Sequence, residues 1–320
     1  MPVIALIAAI VAFLIAGILA LSALAEPLIA LPLALVPLAA GIGILRRKMW
    51  SAYGFALFLG MHLILLPLIA VRSPGADLAD KVAALSSSVL SILVAVLFFF
   101  AGRSLAKAGS TPGRAWPWVA VSLMITFPLF FFQPFVNRSG SMEDTFLIGD
   151  RVLTRVVPRG TPQRGDVIVF QYPPDHSQTF IKRVVGMPGD RVRVVNRVVY
   201  RNGVALKEPY AVHKAGYPDS YRDNFPGAEP PSVLMATGLQ MLQHNVVDGE
   251  VVVPDNTYFV LGDNRDNSLD SRYWGFVSFQ ELIGKPVLIY DSLEQSTDTA
   301  TGRASPIPIH RRWNRLFHSL

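Results

Sequence analysis

The sequence contains no cysteine in its 320 residues. This absence excludes disulfide bonds, thiolate catalysis and zinc sites built on cysteine ligands. Charged residues are also scarce, at 16% of the chain, whereas 51% of the residues are hydrophobic. Because an average soluble domain carries about 25% charged residues, the composition indicates a protein with a large membrane-embedded part.

Long apolar segments are concentrated in the first 135 residues. Each has about the 17 to 25 residues that cross a bilayer as a helix. Three prolines interrupt the second segment, and without it four spans would remain, although helix bundles tolerate such breaks. The first segment is too long for a cleaved signal peptide and no Lys or Arg precedes it, so we expect it to be retained. The five predicted spans are residues 3–24, about 28–45, 51–71, about 86–102 and 116–135.

Basic residues in the connecting loops predict the orientation of these spans. Residues 46–48 read Arg-Arg-Lys, and residues 103–114 carry three more basic side chains, whereas the loops after the first and third spans have no excess of positive charge. Basic loops stay in the cytoplasm. Five spans therefore place the N-terminus on the cytoplasmic side of the cell membrane and everything after Phe135 on its outer face.

The formal net charge of +6 raises the question of a nucleic-acid partner. The chain has no recognisable nucleic-acid-binding motif, and its basic residues flank predicted membrane spans. Anionic lipid head groups explain such charges. We therefore expect a lipid bilayer and no nucleic acid as a partner.

The part of the chain after residue 135 has short apolar runs and turn residues typical of β-strands. No long helical periodicity interrupts the runs at 151–157, 166–172, 191–195, 198–200, 251–253, 258–261 and 286–290. This pattern predicts an all-β, mostly antiparallel domain after an α-helical membrane region. The predicted organisation is a transmembrane region at 1–135, a β-rich domain at 136–295 with an irregular insertion at about 207–249, and a basic C-terminal tail at 296–320, which either contacts the membrane interface or frays.

Three polar stretches carry residues suited to acyl transfer. The first is Ser139-Gly140-Ser141-Met142-Glu143-Asp144-Thr145-Phe146, directly after the last apolar segment. Ser-Gly-Ser alone is ordinary turn chemistry, but two further stretches give it partners. They are residues 180–190, which begin Phe-Ile-Lys-Arg, and residues 262–277, which read Gly-Asp-Asn-Arg-Asp-Asn-Ser-Leu-Asp-Ser-Arg-Tyr-Trp-Gly-Phe-Val.

A serine nucleophile needs a group that accepts its proton. The six histidines belong to no recognisable triad motif, so a Ser-His-Asp arrangement is disfavoured. Lys182 is flanked by Phe180, Ile181 and two valines, and burial among apolar neighbours would lower the pKa of its amine. The alternative is a surface lysine on an alternating strand.

In their order and spacing, the three stretches resemble the type I signal peptidase (leader peptidase) family over residues ~133 to ~285, a match judged by motif placement. The run 262–277 is close to the family signature at each position. The chain departs from the family pattern at Asn137-Arg138, where Ile-Pro is usual, and at Asp144, where proline is usual.

The resemblance implies a membrane-bound serine endopeptidase that removes signal peptides from exported pre-proteins, with no cofactor and no metal. It implies that Ser141 is the nucleophile and Lys182 the general base, that Ser139 donates to the oxyanion, and that Ser268 orients the lysine amine. The implied supporting ion pairs are Asp263 with Arg183 and Asp270 with Arg272. We expect shallow substrate pockets with walls from Phe135, Val136, Met142, Phe146, Phe180 and Ile181.

Other interpretations remain to be compared with the structure. The aspartates of residues 263–270 suggest a calcium loop, but the glycine and the terminal Glu that such loops require are missing. A soluble self-cleaving Ser-Lys peptidase resembles this family in catalytic fold but does not explain five spans. A non-enzymatic export subunit would carry paired intramembrane charges, and only His62 lies in a span. Contact with the export machinery is a further expectation.

Overall fold

The computed structural model describes residues 1–22, 27–72, 78–114, 117–118, 120, 124, 131–156, 162–297 and 304–319. The chain divides into two compact units, Met1–Leu129 and Phe130–Leu320. The first unit is helical and the second is built mainly of strands.

In the first unit the structure describes four long helices: α1 Val3–Ser22, α2 Pro27–Leu45, α3 Met49–Arg72 and α4 Leu78–Lys107. Small residues contribute to their packing: alanines recur along one side of α1. This stripe belongs to a buried cluster with residues of α2, α3 and α4. Small side chains let helix backbones approach closely, as in membrane bundles. The α1 stripe is Ala5, Ala8, Ala9 and Ala12.

One described helix segment, Val3–Leu21, is long and apolar enough to cross a membrane by length and composition. Shorter apolar helical segments occur at Leu33–Leu45 and Met49–Gly60 among the residues described. The expected multi-span region therefore has helices in place, while the number of spans stays a prediction.

The predicted fifth span, residues 116–135, differs from the structure at its end. Most of it lies outside the described residues, but Phe132–Val136 form a strand that pairs antiparallel with Asp150–Val156. The apolar run has no period that separates a helix from a strand, so the sequence placed the boundary of the β-rich unit a few residues too late.

Within the described part of the second unit, fourteen strands form two sheets. Every pairing between named strands is antiparallel, which confirms the prediction of a mostly antiparallel β fold. The strands are β1 Phe132–Val136, β2 Asp150–Val156, β3 Val167–Gln171, β4 Thr179–Gly186, β5 Arg191–Val195, β6 Val198–Arg201, β7 Val204–Ala205, β8 Val246–Val247, β9 Glu250–Val252, β10 Thr257–Leu261, β11 Val277–Ser278, β12 Leu282–Thr297, β13 Ala304–Arg311 and β14 His318–Ser319.

The larger sheet has the order β1-β2-β12-β3-β4-β10-β11, with β13 and β14 also paired to β12. The smaller sheet has the order β7-β6-β5-β9-β8. Strand β4 lies between β3 and β10 in the larger sheet. Because side chains alternate between the two faces of a strand, β4 directs Phe180, Lys182 and Val184 to one face.

The segment predicted as an irregular insertion, about 207–249, contains short helices. They are α5 Ser220–Asp223 and α6 Ala236–His244, and a third short helix, α7 Ser271–Trp274, follows β10. Side chains of α5 and α6 enter a buried cluster with strands of the smaller sheet, through Tyr221 and Met241. The insertion therefore contributes to the core of the β-rich unit.

The predicted C-terminal tail, 296–320, is largely structured where the structure describes it. Strand β12 extends to Thr297, β13 pairs with its second half, and β14 pairs with Leu288 and Ile289. The expectation of a frayed end is therefore wrong for residues 304–319, because strand pairing holds this segment on the sheet.

Candidate active site

The first serine stretch forms a tight turn between β1 and β2. Residues Gly140–Met142 make one turn of 3-10 helix, and Ser139 caps it in an extended conformation. The Ser139 hydroxyl accepts a hydrogen bond from the backbone N–H of Ser141 at 3.2 Å. The Ser141 side chain is buried and Ser139 is exposed, so the hydroxyl proton of Ser139 is free to point outward.

Lys182 reaches this turn from the middle of the larger sheet. Its Nζ lies 2.6 Å from the Oγ of Ser141, although the two residues are 41 positions apart in the chain. The Nζ also donates to the carbonyl oxygen of Ile181 at 3.2 Å and lies 5.2 Å from the centre of the Phe180 ring. Hydroxyl and amine are therefore in direct hydrogen-bond contact.

The surroundings of Lys182 favour a neutral amine. The residue is 3% exposed, and this burial lowers the pKa of its ammonium to about 8 from an ordinary value near 10.5. The negative charges of Asp270 and Asp263 oppose the shift, and the positive charge of Arg272 reinforces it. Desolvation outweighs the carboxylates because the ammonium loses its water shell while both carboxylates are already paired with arginines.

Two ion pairs hold the loop that follows β10. Arg183 donates to both carboxylate oxygens of Asp263, at 2.8 and 2.6 Å. Arg272 makes the same fork on Asp270, at 2.8 Å to each oxygen, in a fully enclosed site. Burial alone would raise the pKa of the Asp270 carboxyl, but the charge and hydrogen bonds of Arg272 outweigh it and hold that pKa below its ordinary value.

The same loop holds the turn that carries Ser141 through hydrogen bonds to its backbone carbonyls. Asn264 donates from its backbone N–H to the carbonyl of Ser141 at 3.1 Å and from its amide side chain to the carbonyl of Gly140 at 3.2 Å. A Cβ on Gly262 would lie 2.2 Å from the Ser268 hydroxyl and 2.5 Å from the Ser141 carbonyl oxygen. Only glycine therefore permits this close approach of the two loops.

Ser268 does not make the contact that the family resemblance implies. Among the described residues its buried Oγ has no partner in hydrogen-bond geometry, and Lys182 Nζ bonds Ser141 and Ile181 instead. The hydroxyl is close enough to help lower the pKa of Asp270, so it lies beside that carboxylate without a well-formed bond. In this structure the Ser268 hydroxyl is therefore buried without a hydrogen bond to the Lys182 amine.

The expected pocket residues divide into two sets. Met142 and Phe146 are 1% and 0% exposed and belong to a buried cluster with strands β2, β3, β4 and β12, so they differ from the expectation of pocket walls. Their side chains pack against the larger sheet and hold the turn on it. Ile181 is nearly as buried, in the same cluster. Val136 is exposed, and Phe135 and Phe180 are half-buried.

Asp144 is the departure from the family pattern that the structure explains. Its φ is +75°, a left-handed conformation that asparagine, aspartate and glycine tolerate best. Proline is excluded there because its ring fixes φ near −65°. Lys214 donates to the Asp144 carboxylate at 2.7 Å and lies 3.3 Å from that of Glu143.

Three residues contact the site without any signal in the sequence that predicts it. Asn264 and Thr145 lie inside the quoted stretches, but nothing in the sequence gave them partners. The Thr145 hydroxyl donates to Asp263 at 2.6 Å. Arg315, in the C-terminal segment, donates to the carbonyl oxygen of Thr145, and no sequence signal connected these two residues.

Comparison with known proteins identifies one family. The family model described as signal peptidase, peptidase S26, matches residues 115–291. Signal peptidase I of Pseudomonas aeruginosa is 34% identical, the match covering 53% of this chain and 68% of that protein. Signal peptidase I of Bacillus caldolyticus is 36% identical over 54% of this chain and 87% of that protein. A solved signal peptidase I structure from Enterococcus faecalis V583 is 30% identical, covering 39% of this chain and 97% of the other, with a TM-score of 0.26.

Proposed function

Because this chain belongs to the signal peptidase family, peptidase S26, we propose that it is a membrane-bound endopeptidase that removes signal peptides from exported pre-proteins with a Ser141–Lys182 dyad. The chain is a serine peptidase by family. The assignment of the two catalytic residues and the membrane location is the proposal.

One observation supports the dyad above all others. The amine of Lys182 lies 2.6 Å from the hydroxyl of Ser141, and burial lowers the pKa of that amine to about 8. A general base has to reach the proton it accepts and titrate near the working pH. The pair has both properties, so a histidine is not needed.

Acylation follows from this contact. The neutral Lys182 amine takes the hydroxyl proton of Ser141 as the Oγ attacks the scissile carbonyl carbon, which becomes tetrahedral with a negative oxygen. The new ammonium then gives its proton to the leaving amine as the peptide bond breaks. The C-terminal part of the substrate leaves, and an ester joins its N-terminal part to Ser141.

The exposed hydroxyl of Ser139 is suited to stabilise the negative oxygen. Because its oxygen accepts the backbone N–H of Ser141, its own proton can be donated to the oxyanion. The Ser141 N–H joins it as a second donor only when it exchanges Ser139 for the substrate oxygen. Donors aimed at the developing charge typically contribute about 10²- to 10³-fold to the rate.

Deacylation uses the same base. Lys182 is neutral again after the amine product has left, and it takes a proton from a water molecule that attacks the ester carbon. The ammonium returns the proton to Ser141 Oγ as the ester breaks. One amine at 2.6 Å from the nucleophile therefore serves both half-reactions.

The substrate proposal rests on the family and on one exposed and two half-buried apolar side chains near the turn. Small residues at positions −1 and −3 of the signal peptide, typically alanine, would bind next to Phe135, Val136 and Phe180.

The N-terminal helices anchor the enzyme, and the predicted charge distribution places the catalytic unit on the outer membrane face. Digestion of the chain after Phe135 by a protease added to intact cells, or to spheroplasts if an outer membrane is present, checks this orientation, and full protection would reverse it.

The dyad is tested by two substitutions in the full chain in detergent. Ser141→Ala and Lys182→Ala should each lower the cleavage of a pre-protein after Ala-x-Ala by at least about 10³-fold, because each removes a group that takes part in bond formation. Circular dichroism checks that the variants remain folded. Exposed Ser177 and Lys207 offer matched controls, and Ser177→Ala and Lys207→Ala should keep wild-type rates. Full activity in either dyad variant would overturn the assignment.

A further inference from the structure

Ser141 lies in the loop between Asn137 and Asp150, and hydrogen bonds between the two ends of this loop close it. The backbone N–H of Asn137 donates to the carbonyl of Asp150, and that of Gly149 donates to the carbonyl of Asn137, each at 2.8 Å. The Asn137 amide side chain donates to the carbonyl of Leu147 at 3.0 Å. These bonds fix the base of the loop, whereas Ser141 lies near its middle.

The second half of the loop is tied to the strand that carries the base. The Thr145 hydroxyl donates to Asp263 at 2.6 Å, and Asp263 is held by the guanidinium fork of Arg183. Because Arg183 is the neighbour of Lys182 on β4, the position of Thr145 is coupled to that of the base. A shift of Thr145 would change the separation of hydroxyl and amine.

Arg315, in the turn between β13 and β14, grips the same part of the loop. Its Nη2 donates to the carbonyl of Thr145 at 3.0 Å and to Asp150 at 2.7 Å, and its Nε donates to Asp150 at 3.2 Å. The Asp150 carboxylate is fully buried and also accepts the Leu147 N–H and the Ser292 hydroxyl. One guanidinium therefore fixes both the end and the middle of the loop.

We propose that Arg315 is a positioning residue for catalysis, which holds Thr145 so that Ser141 stays within proton-transfer distance of Lys182. This inference rests on the proposed dyad. Arg315 does not touch the reacting atoms, so it acts through the loop. The C-terminal segment is then part of the catalytic apparatus, although the sequence marks it only as a basic tail.

A purely structural role for Arg315 is the alternative, since removing one partner of a buried ion pair leaves an unpaired charge and destabilises a protein. The chain offers a matched control in Arg311, which pairs with buried Asp291 at 3.2 Å. Side-chain exposure is similar in the two pairs, at 17% and 0% for Arg315–Asp150 and 13% and 3% for Arg311–Asp291. Arg311 has no hydrogen bond to residues 139–150 among the described contacts.

The experiment compares Arg315→Lys with Arg311→Lys in the full chain. Lysine keeps a positive charge beside the aspartate but lacks the planar fork that serves two acceptors at once. Arg315→Lys should lower kcat by about 10- to 100-fold, the size expected when reacting groups are misplaced by about 1 Å, with KM nearly unchanged because no substrate contact is lost. Arg311→Lys should keep both constants.

A second variant and a second measurement separate positioning from folding. Asp150→Asn with Arg315→Met removes both charges, leaves no unpaired buried ion, and should reproduce the loss of kcat. Hydrogen exchange of the backbone amides of residues 139–147 should accelerate in both Arg315 variants and stay unchanged in Arg311→Lys. This second measurement does not depend on enzyme activity.

The outcomes distinguish the two proposals. Equal kcat in the Arg315 and Arg311 variants, or exchange in the loop that does not respond to Arg315, overturns the positioning role. Faster exchange confined to the Arg315 variants supports it. The Arg315 variants could show faster exchange than the wild-type protein while the wild-type protein cleaves no pre-protein. In that case the proposed function would fail, but the link from Arg315 to the loop would stand.

Discussion

At Lys182 the proposed catalytic role conflicts with stability. Its ammonium has to lose its hydration on folding, and burial lowers its pKa from 10.5 to about 8. Below pH 8 the side chain is protonated in both the folded and the unfolded state, so folding carries the full cost of burying the charge. A pKa difference of this size corresponds to about 3 kcal/mol.

The sign of this cost gives a stability prediction. Lys182→Met keeps the apolar stem and removes the charge, so it should raise the thermal unfolding midpoint of the detergent-solubilised protein at pH 6.5. The gain should shrink as pH rises from 8 towards 10.5, because the wild-type amine becomes neutral in the folded state first and the cost disappears. Unfolding scans of both proteins at pH 6.5 and 9.5 check this. A difference that did not change with pH would argue against a buried amine of lowered pKa.

Single residues also show what sequence reasoning could not decide. Met142 and Phe146 follow Ser141 closely in the sequence and are hydrophobic, properties that core residues and pocket walls share. Their complete burial became visible only with the strands against which they pack. Ser268 was expected to bond the lysine amine, but its hydroxyl lies beside Asp270, a contact that depends on the backbone path of the loop at Gly262.

Elements were predicted well where the sequence had a clear period and clear ends. Strands β3 and β10 are short apolar runs bounded by turn residues, and both are found in the sheet. Strand β1 was missed because its residues continue an apolar run that fits a membrane helix equally well. Pairing with β2 makes residues 132–136 a strand, and pairing partners cannot be read from the local sequence.

Strand β13 was missed for a different reason. Its sequence includes Pro306 and Pro308, which remove backbone donors and argue against a strand in the middle of a sheet. Among the described residues, the segment pairs with β12, off the main path of the larger sheet, where proline is tolerated. This strand brings the chain to Arg315, the proposed positioning residue.

Across the whole molecule, the order of motifs carried more information than composition. The apolar composition indicated a membrane protein, but the number of spans stays a prediction, since one described helix meets the length and hydropathy of a span. The three polar stretches were recognised by family resemblance, and residues 41 to 127 positions from Ser141, among them Lys182 and Ser268, lie around it in the fold. Local patterns could not have brought Arg315 to the same site, because a basic C-terminal segment usually faces solvent.

The central claim is that a neutral Lys182 amine takes the proton of Ser141, and the pH dependence of kcat/KM tests it most directly. The free enzyme is active only when the amine is unprotonated, so kcat/KM should rise with pH through an apparent pKa of about 8 and then level off. The measurement uses the full chain in detergent with a pre-protein substrate between pH 6 and 10, with Lys207→Ala as the control that should leave the profile unchanged. A midpoint near the ordinary lysine value, or a profile flat across this range, would contradict the account.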